Sequence, residues 1–254
     1  MNVLILNASP KRKGGASRFF SKLLKGMLAG HTITTCDIHS PRDYEKALSL
    51  LHSAHTVVIS SPLYVDGIPA HVLPFLVQAQ QLCTEQQLHF KLYALSNNGF
   101  IDAKQNALHL RMYEAWCARA GVQWGGGLGI GGGVLLHVLF LLFPFSILMR
   151  LAQTLLALAQ TGHIPAMQPG SFVGLLITPA LCIWPLLCLF AMAQTIKKGE
   201  CRENRYTQPP IPSFLFIIVA GLFMLLSALA KGTLPHKLFH RVPHESTIKK
   251  GDDF

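Results

Sequence analysis

The chain has 254 residues, of which 50% are hydrophobic and only 13% charged, about half the charged share usual in globular domains. A net charge of +10 would suit nucleic acid or an anionic surface. The distribution argues against nucleic acid: Ala115 to Gly199 contains no Asp or Glu, and only Arg119, Arg150, Lys197 and Lys198 carry charge there. The residues before this stretch mix both signs, as a cytosolic domain does.

Along the first part, strand and helix patterns alternate. NVLIL (2–6) is a short run of β-formers, and SRFFSKLLKGML (17–28) repeats its apolar residues at helical spacing. TITTCDI (32–38) alternates as a strand, DYEKALSLLHSA (43–54) reads as a helix and TVVISS (56–61) as a buried strand. AHVLPFLVQAQQL (70–82) is predicted helical despite Pro74, FKLYALS (90–96) a strand, and AKQNALHLRMYEAWCARAG (103–121) a helix closed by glycine. VQWGGG (122–127) supplies a fifth strand. SILMRLAQTLLALAQTGH (146–163) places Leu148, Leu151, Leu155 and Leu158 on one face, so it is expected to pack on the sheet and end the domain at residue 162. Short connections between alternating strands and helices predict an α/β fold, a doubly wound five-stranded parallel sheet. Ligands then bind beyond the carboxyl ends of its strands, which directs attention to the loops after Leu6, Ser60, Ser96 and Gly127.

The first of these loops, NASPKRKGGAS (7–17), combines Ser9, Lys11, Arg12, Lys13 and Ser17 with Gly14 and Gly15, directly before a helix. Hydroxyls, close backbone approach and a helix N-terminus together suit a phosphate. These residue types alone leave a phosphate cradle and a solvated basic turn equally open, and no GK[ST] follows that would make a Walker loop. After the third strand comes SPLYVDGIPAHVLPFL (61–76), after the fourth NNGF (97–100), and beyond them WGGGLGIGGG (124–133). GLGIGG (127–132) satisfies GxGxxG, but no acid follows until Glu200, so a dinucleotide fingerprint is rejected and a mobile, closely packed glycine loop is expected.

Over residues 1–133, these segments resemble the flavodoxin-like NAD(P)H-dependent FMN reductase family, whose members carry a PLYVDxxP segment after the third strand. The resemblance implies FMN bound non-covalently at three loops, with NAD(P)H as co-substrate. Ser9, Arg12 and Ser17 would hold the phosphate. Pro62, Leu63, Tyr64, Val65 and Asp66 would line the isoalloxazine ring, and Asn97, Asn98, Gly99 and Phe100 would close it from the other side. Physically, a flavin needs an apolar face and backbone amides along its pyrimidine rim, and PLYVDG offers Tyr64 for the first and a bent backbone for the second. Asp66 is equally readable as an ordinary turn residue. Relatives also suggest a homodimer or higher oligomer.

The second half departs from that family. SFVGLLITPALCIWPLLCLFAMAQ (171–194) would reach about 36 Å as a helix, and IPSFLFIIVAGLFMLLSALA (211–230) about 30 Å, the thickness of the hydrocarbon core. A membrane region at 163–232 with a two-helix hairpin is therefore expected. VLLHVLFLLFPF (134–145) is too short to cross alone and reads as an interfacial wedge, a dimer surface or part of a third span joined to 146–160. The tail at 233–254, with His236, His240 and His244 interrupted by Pro243, is expected to lie basic on anionic headgroups and to hold no metal. Because NAD(P)H and FMN are cytosolic, the domain is expected on the cytoplasmic side of a cell membrane. No signal peptide precedes the first strand. The six cysteines form no CxxC pair, which fits free thiols in a reducing compartment. Together these features point to a membrane-anchored flavoprotein oxidoreductase passing a hydride from NAD(P)H through FMN to an acceptor such as a quinone. The alternative is a non-enzymatic flavodoxin-like electron carrier or partner-docking module in a membrane complex. No catalytic side chain is singled out, since the cofactor would carry the chemistry.

Overall fold

The computed structural model describes residues 1–12, 14–164 and 169–232, the side chains of 169–174 excepted; Lys13 and the tail from residue 233, with its three histidines, lie outside the described residues. The expected alternation is present: β1 (Asn2–Asn7), α1 (Ala16–Met27), β2 (Thr32–Asp37), α2 (Tyr44–Leu51), β3 (Thr56–Pro62), α3 (Leu73–Gln86), β4 (Lys91–Asn97), α4 (Ala107–Ala120) and β5 (Gln123–Ile130). Then follow α5 (Gly133–Thr161), α6 (Pro169–Lys198), β6 (Arg205–Thr207) and α7 (Ser213–Ala230). The strand order is β2-β1-β3-β4-β5-β6, with every neighbouring pair parallel. The six cysteines are free thiols.

Strand periodicity sorts the core into two layers, because successive side chains leave a strand on opposite faces. Leu4, Leu6, Val57, Ile59, Leu92 and Ala94 face one layer, where they pack with residues of α2, α3 and α4. Val3, Ile5, Val58, Tyr93, Leu95 and Leu128 face the other, with α1, the start of α5 and part of α6.

Three expectations need correction. The sheet has six strands, not five: Arg205–Thr207 pairs in register with Leu128–Ile130, and three mostly polar residues carry no alternation by which to recognise a strand. The glycine-rich run is also no mobile loop, for residues up to Ile130 are β5 itself and buried. Glycine is required there by close approach: a Cβ on Gly125 would stand 2.5 Å from the Tyr93 ring, and one on Gly126, at φ +115°, 2.3 Å from the Arg202 carbonyl oxygen.

The third correction concerns the last helices. Residues 133–161 form one continuous helix through Pro144, so the segment at 134–145 joins the next to make a third long apolar helix. Leu148, Leu151, Leu155 and Leu158, expected on the sheet, are exposed. The sheet is covered instead by the second half of α6, where Cys182, Leu189, Met192, Ala193 and Ile196 are buried in one stripe. A helix apolar on all sides has no polar face to orient it, so fit decides, and small residues such as Ala193 and Cys182 let it approach the strands. α6 ends at the amino edge of the sheet, where Lys91 Nζ donates to the Gly199 carbonyl and Tyr93 Oη to that of Glu200 at 2.7 Å. With α6 packed on the sheet and β6 paired in it, the chain divides into compact units Met1–Pro210 and Ile211–Phe254. The second unit contains α7, 18 residues with a mean hydropathy of 2.5.

Candidate functional site

In a sheet ordered 2-1-3-4-5, the strand order reverses between β1 and β3, and sheets of this kind bind ligands beyond the carboxyl ends of those strands. Residues after β1, β3 and β4 meet there through direct bonds. Ala8 N donates to the Ser60 carbonyl at 2.8 Å, and Leu63 N to the Asn97 carbonyl at 2.8 Å. Ser17 Oγ, in the first turn of α1, donates to Asn97 Oδ1 at 2.6 Å, and Ser60 Oγ to the Ser17 carbonyl at 3.0 Å. Three loops far apart in sequence are thus pinned into one rim.

The first loop ends in a helix start with no side-chain cap and no acid in its first turn, which leaves the first N–H groups of that turn without intrahelical partners. Gly14 and Gly15, at φ +69° and +90°, lead into it in conformations that disfavour other residues. Ser9 is buried, its Oγ accepting from Lys11 N at 3.4 Å, while Lys11 and Arg12 are exposed. No acid occurs from Met1 to Cys36, against six Lys and Arg residues. This donor set suits a doubly charged anion.

The second loop is a tight reversal. Tyr64 and Gly67 exchange backbone bonds at 3.3 and 3.0 Å, and Val65 and Asp66 between them both have positive φ, 45° and 58°, the signature of a type I′ turn. A β-branched residue in that region is an outlier, costing roughly 1–3 kcal/mol. Val65 is also fully exposed and Tyr64 nearly half exposed, while Pro62 and Leu63 are half-buried and Asp66 is exposed. In the third loop Asn97 and Asn98 are buried and Gly99 and Phe100 exposed. Asn98 Nδ2 donates to the Asp102 carbonyl at 2.8 Å, yet its buried Oδ1 has no partner.

The structure therefore joins Ser17, Leu63 and Asn97 directly and sets Ser9, Asn98 and the Tyr64–Asp66 turn along the same rim. Ser17 and Asn97 spend side-chain bonds on one another. Arg12, Gly99 and Phe100 belong to the rim only through their loops.

Beneath the rim lies a network that the sequence did not disclose. Ser61 Oγ is 3.2 Å from His109 Nε2 and 2.9 Å from Tyr113 Oη; Ser96 Oγ is 2.7 Å from His109 Nδ1 and donates to Asn106 Oδ1 at 2.7 Å. All five side chains are buried. Burial lowers the His109 pKa to about 4 and pushes the Tyr113 phenol up, so the imidazole is neutral at physiological pH and ties the ends of β3 and β4 together as a hydrogen-bonding bracket. Ser61 and Ser96 read as ordinary strand residues, and nothing in the sequence signalled their partner on α4. At the other end of the rim, burial works to raise the Asp37 pKa, but hydrogen bonds from Asn7 and Arg18 prevail and hold it below the usual carboxylate range. Arg18 meets Asp37 at 2.8 Å, and His39 Nδ1 lies 2.5 Å from the Ser9 carbonyl, which fixes the base of the first loop. Among the described residues, no group of three or more His, Cys, Asp or Glu is arranged to hold a metal ion.

No family model matches the chain, and no curated protein does. Among solved structures, the chain is similar to the Trp repressor binding protein from Bacillus subtilis, at 13% identity and TM-score 0.43, over 50% of this chain and 85% of that one. It is similar to an NADPH-quinone reductase from P. pentosaceus at 14% identity and TM-score 0.46, over 76% of this chain and 98% of that one. For an NAD(P)H:quinone oxidoreductase from Methanothermobacter marburgensis the values are 18% and 0.41, over 52% and 87%. These likenesses are weak, and the fold assignment stands on the chain's own strand order and layering. On that basis the sheet domain has a flavodoxin-like fold, a doubly wound parallel sheet with its switch point between β1 and β3.

Proposed function

We propose that the protein is a membrane-anchored flavoprotein oxidoreductase of the flavodoxin-like NAD(P)H-dependent FMN reductase family, with FMN in the rim crevice. The observation that carries this reading is the uncapped α1 N-terminus behind Gly14 and Gly15, set at the switch point in an acid-free basic segment. The rim fits the rest of the group. A strained, exposed Tyr64–Val65–Asp66 turn is what a flat apolar ligand would repay, and the unpartnered Asn98 Oδ1 is an acceptor awaiting a donor. Ser9, Arg12 and the first-turn amides of α1 would hold the phosphate; the turn would lie against the ring, and the loop at 97–100 would close over it.

Bound FMN supplies two-electron chemistry, so that NAD(P)H and a proton give NAD(P)⁺ while a quinone leaves as quinol. This chain's residues bind and orient the ring and keep water from it; no side chain need transfer a proton to the flavin. Three helices are long and apolar enough to cross a membrane, Gly133–Thr161, Leu175–Lys198 and Ser213–Ala230. In the first, Arg150 would cost about 2.5–3.5 kcal/mol at the bilayer centre, while each of sixteen Leu, Ile, Val and Phe residues contributes about −0.3 to −0.6. The apolar residues prevail, and in this reading the sheet domain would lie in the cytoplasm with its nicotinamide supply.

Detergent-purified protein should show flavin absorption bands and oxidise NAD(P)H with a short-chain quinone. Arg12→Ala should weaken FMN binding about 10- to 100-fold in a fluorescence titration, the worth of a charged hydrogen bond. A colourless protein that does not take up FMN overturns the reading; one that holds flavin but leaves NAD(P)H unoxidised is a carrier.

A further inference from the structure

We propose that the carboxyl edge of the sheet, with the site's loops on it, lies against the lipid bilayer, and that the electron acceptor is an apolar molecule arriving from the lipid phase. The identity of the acceptor rests on the flavoprotein reading above. The placement of the edge rests on geometry alone.

α5 leaves the sheet at this edge. Ile130 stands opposite Asn97 in the ladder, and the next residues are bonded to the third site loop, Gly132 N to the Phe100 carbonyl at 2.5 Å and Gly133 N to that of Asn98 at 2.9 Å. Only Gly133 and Leu136 of α5 are buried. From Leu141 to Leu158 its apolar side chains are largely exposed, and residues 141–161 extend for about 30 Å.

α6 runs back beside it. Its buried stripe from Cys182 to Ile196 covers about 21 Å at 1.5 Å per residue, close to the length of a seven-residue strand at about 3.3 Å each. Since α6 ends at the amino edge, the stripe reaches the carboxyl edge at Cys182, and the residues before it project beyond that edge, as α5 does. The two helices meet there, with Leu139, Phe140 and Phe143 of one facing Pro179, Ile183 and Leu186 of the other across an apolar groove. β6 ends at the same edge, Thr207 opposite Ile130.

An edge that emits apolar helices of this length cannot face open water without exposing them. Seating those helices in lipid brings the loops between them to the headgroup layer, and the loops are suited to it. Phe100 is 67% exposed, Val65 fully exposed and Tyr64 nearly half, which matches the aromatic belt of membrane interfaces. Lys11 is exposed beside them and would add about 1 kcal/mol against anionic headgroups. Asp66 and Asp102 share the edge, so charge is the smaller contribution and helix burial the larger. A crevice opening there receives substrates from two phases: nicotinamide from water along the flank, and an apolar oxidant from the bilayer.

The test uses the full chain reconstituted in vesicles. Phe100→Trp places a reporter on the carboxyl edge, and His89→Trp places one just before β4, on the amino edge. Each variant is compared in vesicles with and without lipids brominated near the headgroup, after subtracting wild-type emission. The expected result is a drop of at least two-fold in the emission added at position 100 and no change at 89. Equal quenching at both positions, or none at 100, overturns the placement, whatever the flavin content. In a second arm, flavin-loaded vesicles should oxidise NAD(P)H with a long-chain isoprenoid quinone confined to the bilayer. Turnover with a short-chain quinone alone overturns the lipid-phase acceptor but leaves the reductase reading standing. Failure with both quinones defeats the reductase reading itself.

Discussion

The two faces of the sheet are covered in different ways. On one, α2, α3 and α4 run 8 to 14 residues, are matched to the strands they cover, and enclose the polar bracket around His109. On the other, α1 is of ordinary length, while α5 and α6 run 29 and 30 residues and extend well past the strands, α5 for most of its length. The same helix is a soluble-domain element at one end and apolar on every side at the other. If those helices enter a membrane, as proposed above, the domain is attached by lengthening helices it already needs, without an intervening linker.

The contrast can be broken at the seam where the long layer returns to the sheet. Gly126→Ala would drive a Cβ into the Arg202 carbonyl at a φ of +115°, with an expected loss on the order of 3–5 kcal/mol in detergent unfolding. Tolerance within about 0.5 kcal/mol would mean that the segment after α6 is not held on β5. The contrast is sharpened within α6 itself. Leu189 is 1% exposed and Leu176 57%, so in micelles Leu189→Ala should cost about 2–5 kcal/mol and Leu176→Ala under about 0.5. Equal losses would erase the distinction between inner and outer halves. The short-helix face should carry the response to acid. His109 has a folded pKa of about 4 against about 6.5 unfolded, so the unfolded chain binds the extra proton between those values. Stability should fall as pH drops through that window, by on the order of 3 kcal/mol at most. His109→Gln should flatten the slope of urea midpoint against pH between 6.5 and 4.

Much of this was legible in sequence. Period-two and period-3.6 patterns placed the first five strands and four helices, and the positions of the loops followed from them. The apolar half was read less well for a definite reason. In 146–163 a weak polar face suggested sheet packing, and in 171–194 the lack of one suggested lipid, yet it is the second segment that meets the strands. Amphipathicity reports contrast with water; it says nothing about which of two apolar environments, protein or lipid, a helix side will find. Likewise, GLGIGG (127–132) looked like a loop because glycine lacks the side chain by which a buried strand announces itself, although that same lack lets the Leu110 side chain lie against Gly127 and the Tyr206 ring against Gly129. At the site, loop chemistry showed where the residues would gather, while the bonds among Ser17, Leu63 and Asn97 depend on three-dimensional register that no local pattern encodes.

The two backbone hydrogen bonds from Gly132 and Gly133, at the start of α5, to the carbonyls of Phe100 and Asn98 make a short mechanical coupling. A rod clamped at one end turns sideways force along its length into torque at the clamp, and here the clamp is the third loop of the rim. Any tilt imposed on the outer part of α5 is transmitted to residues 98–100, so those residues cannot shift without the rod, nor the rod without them.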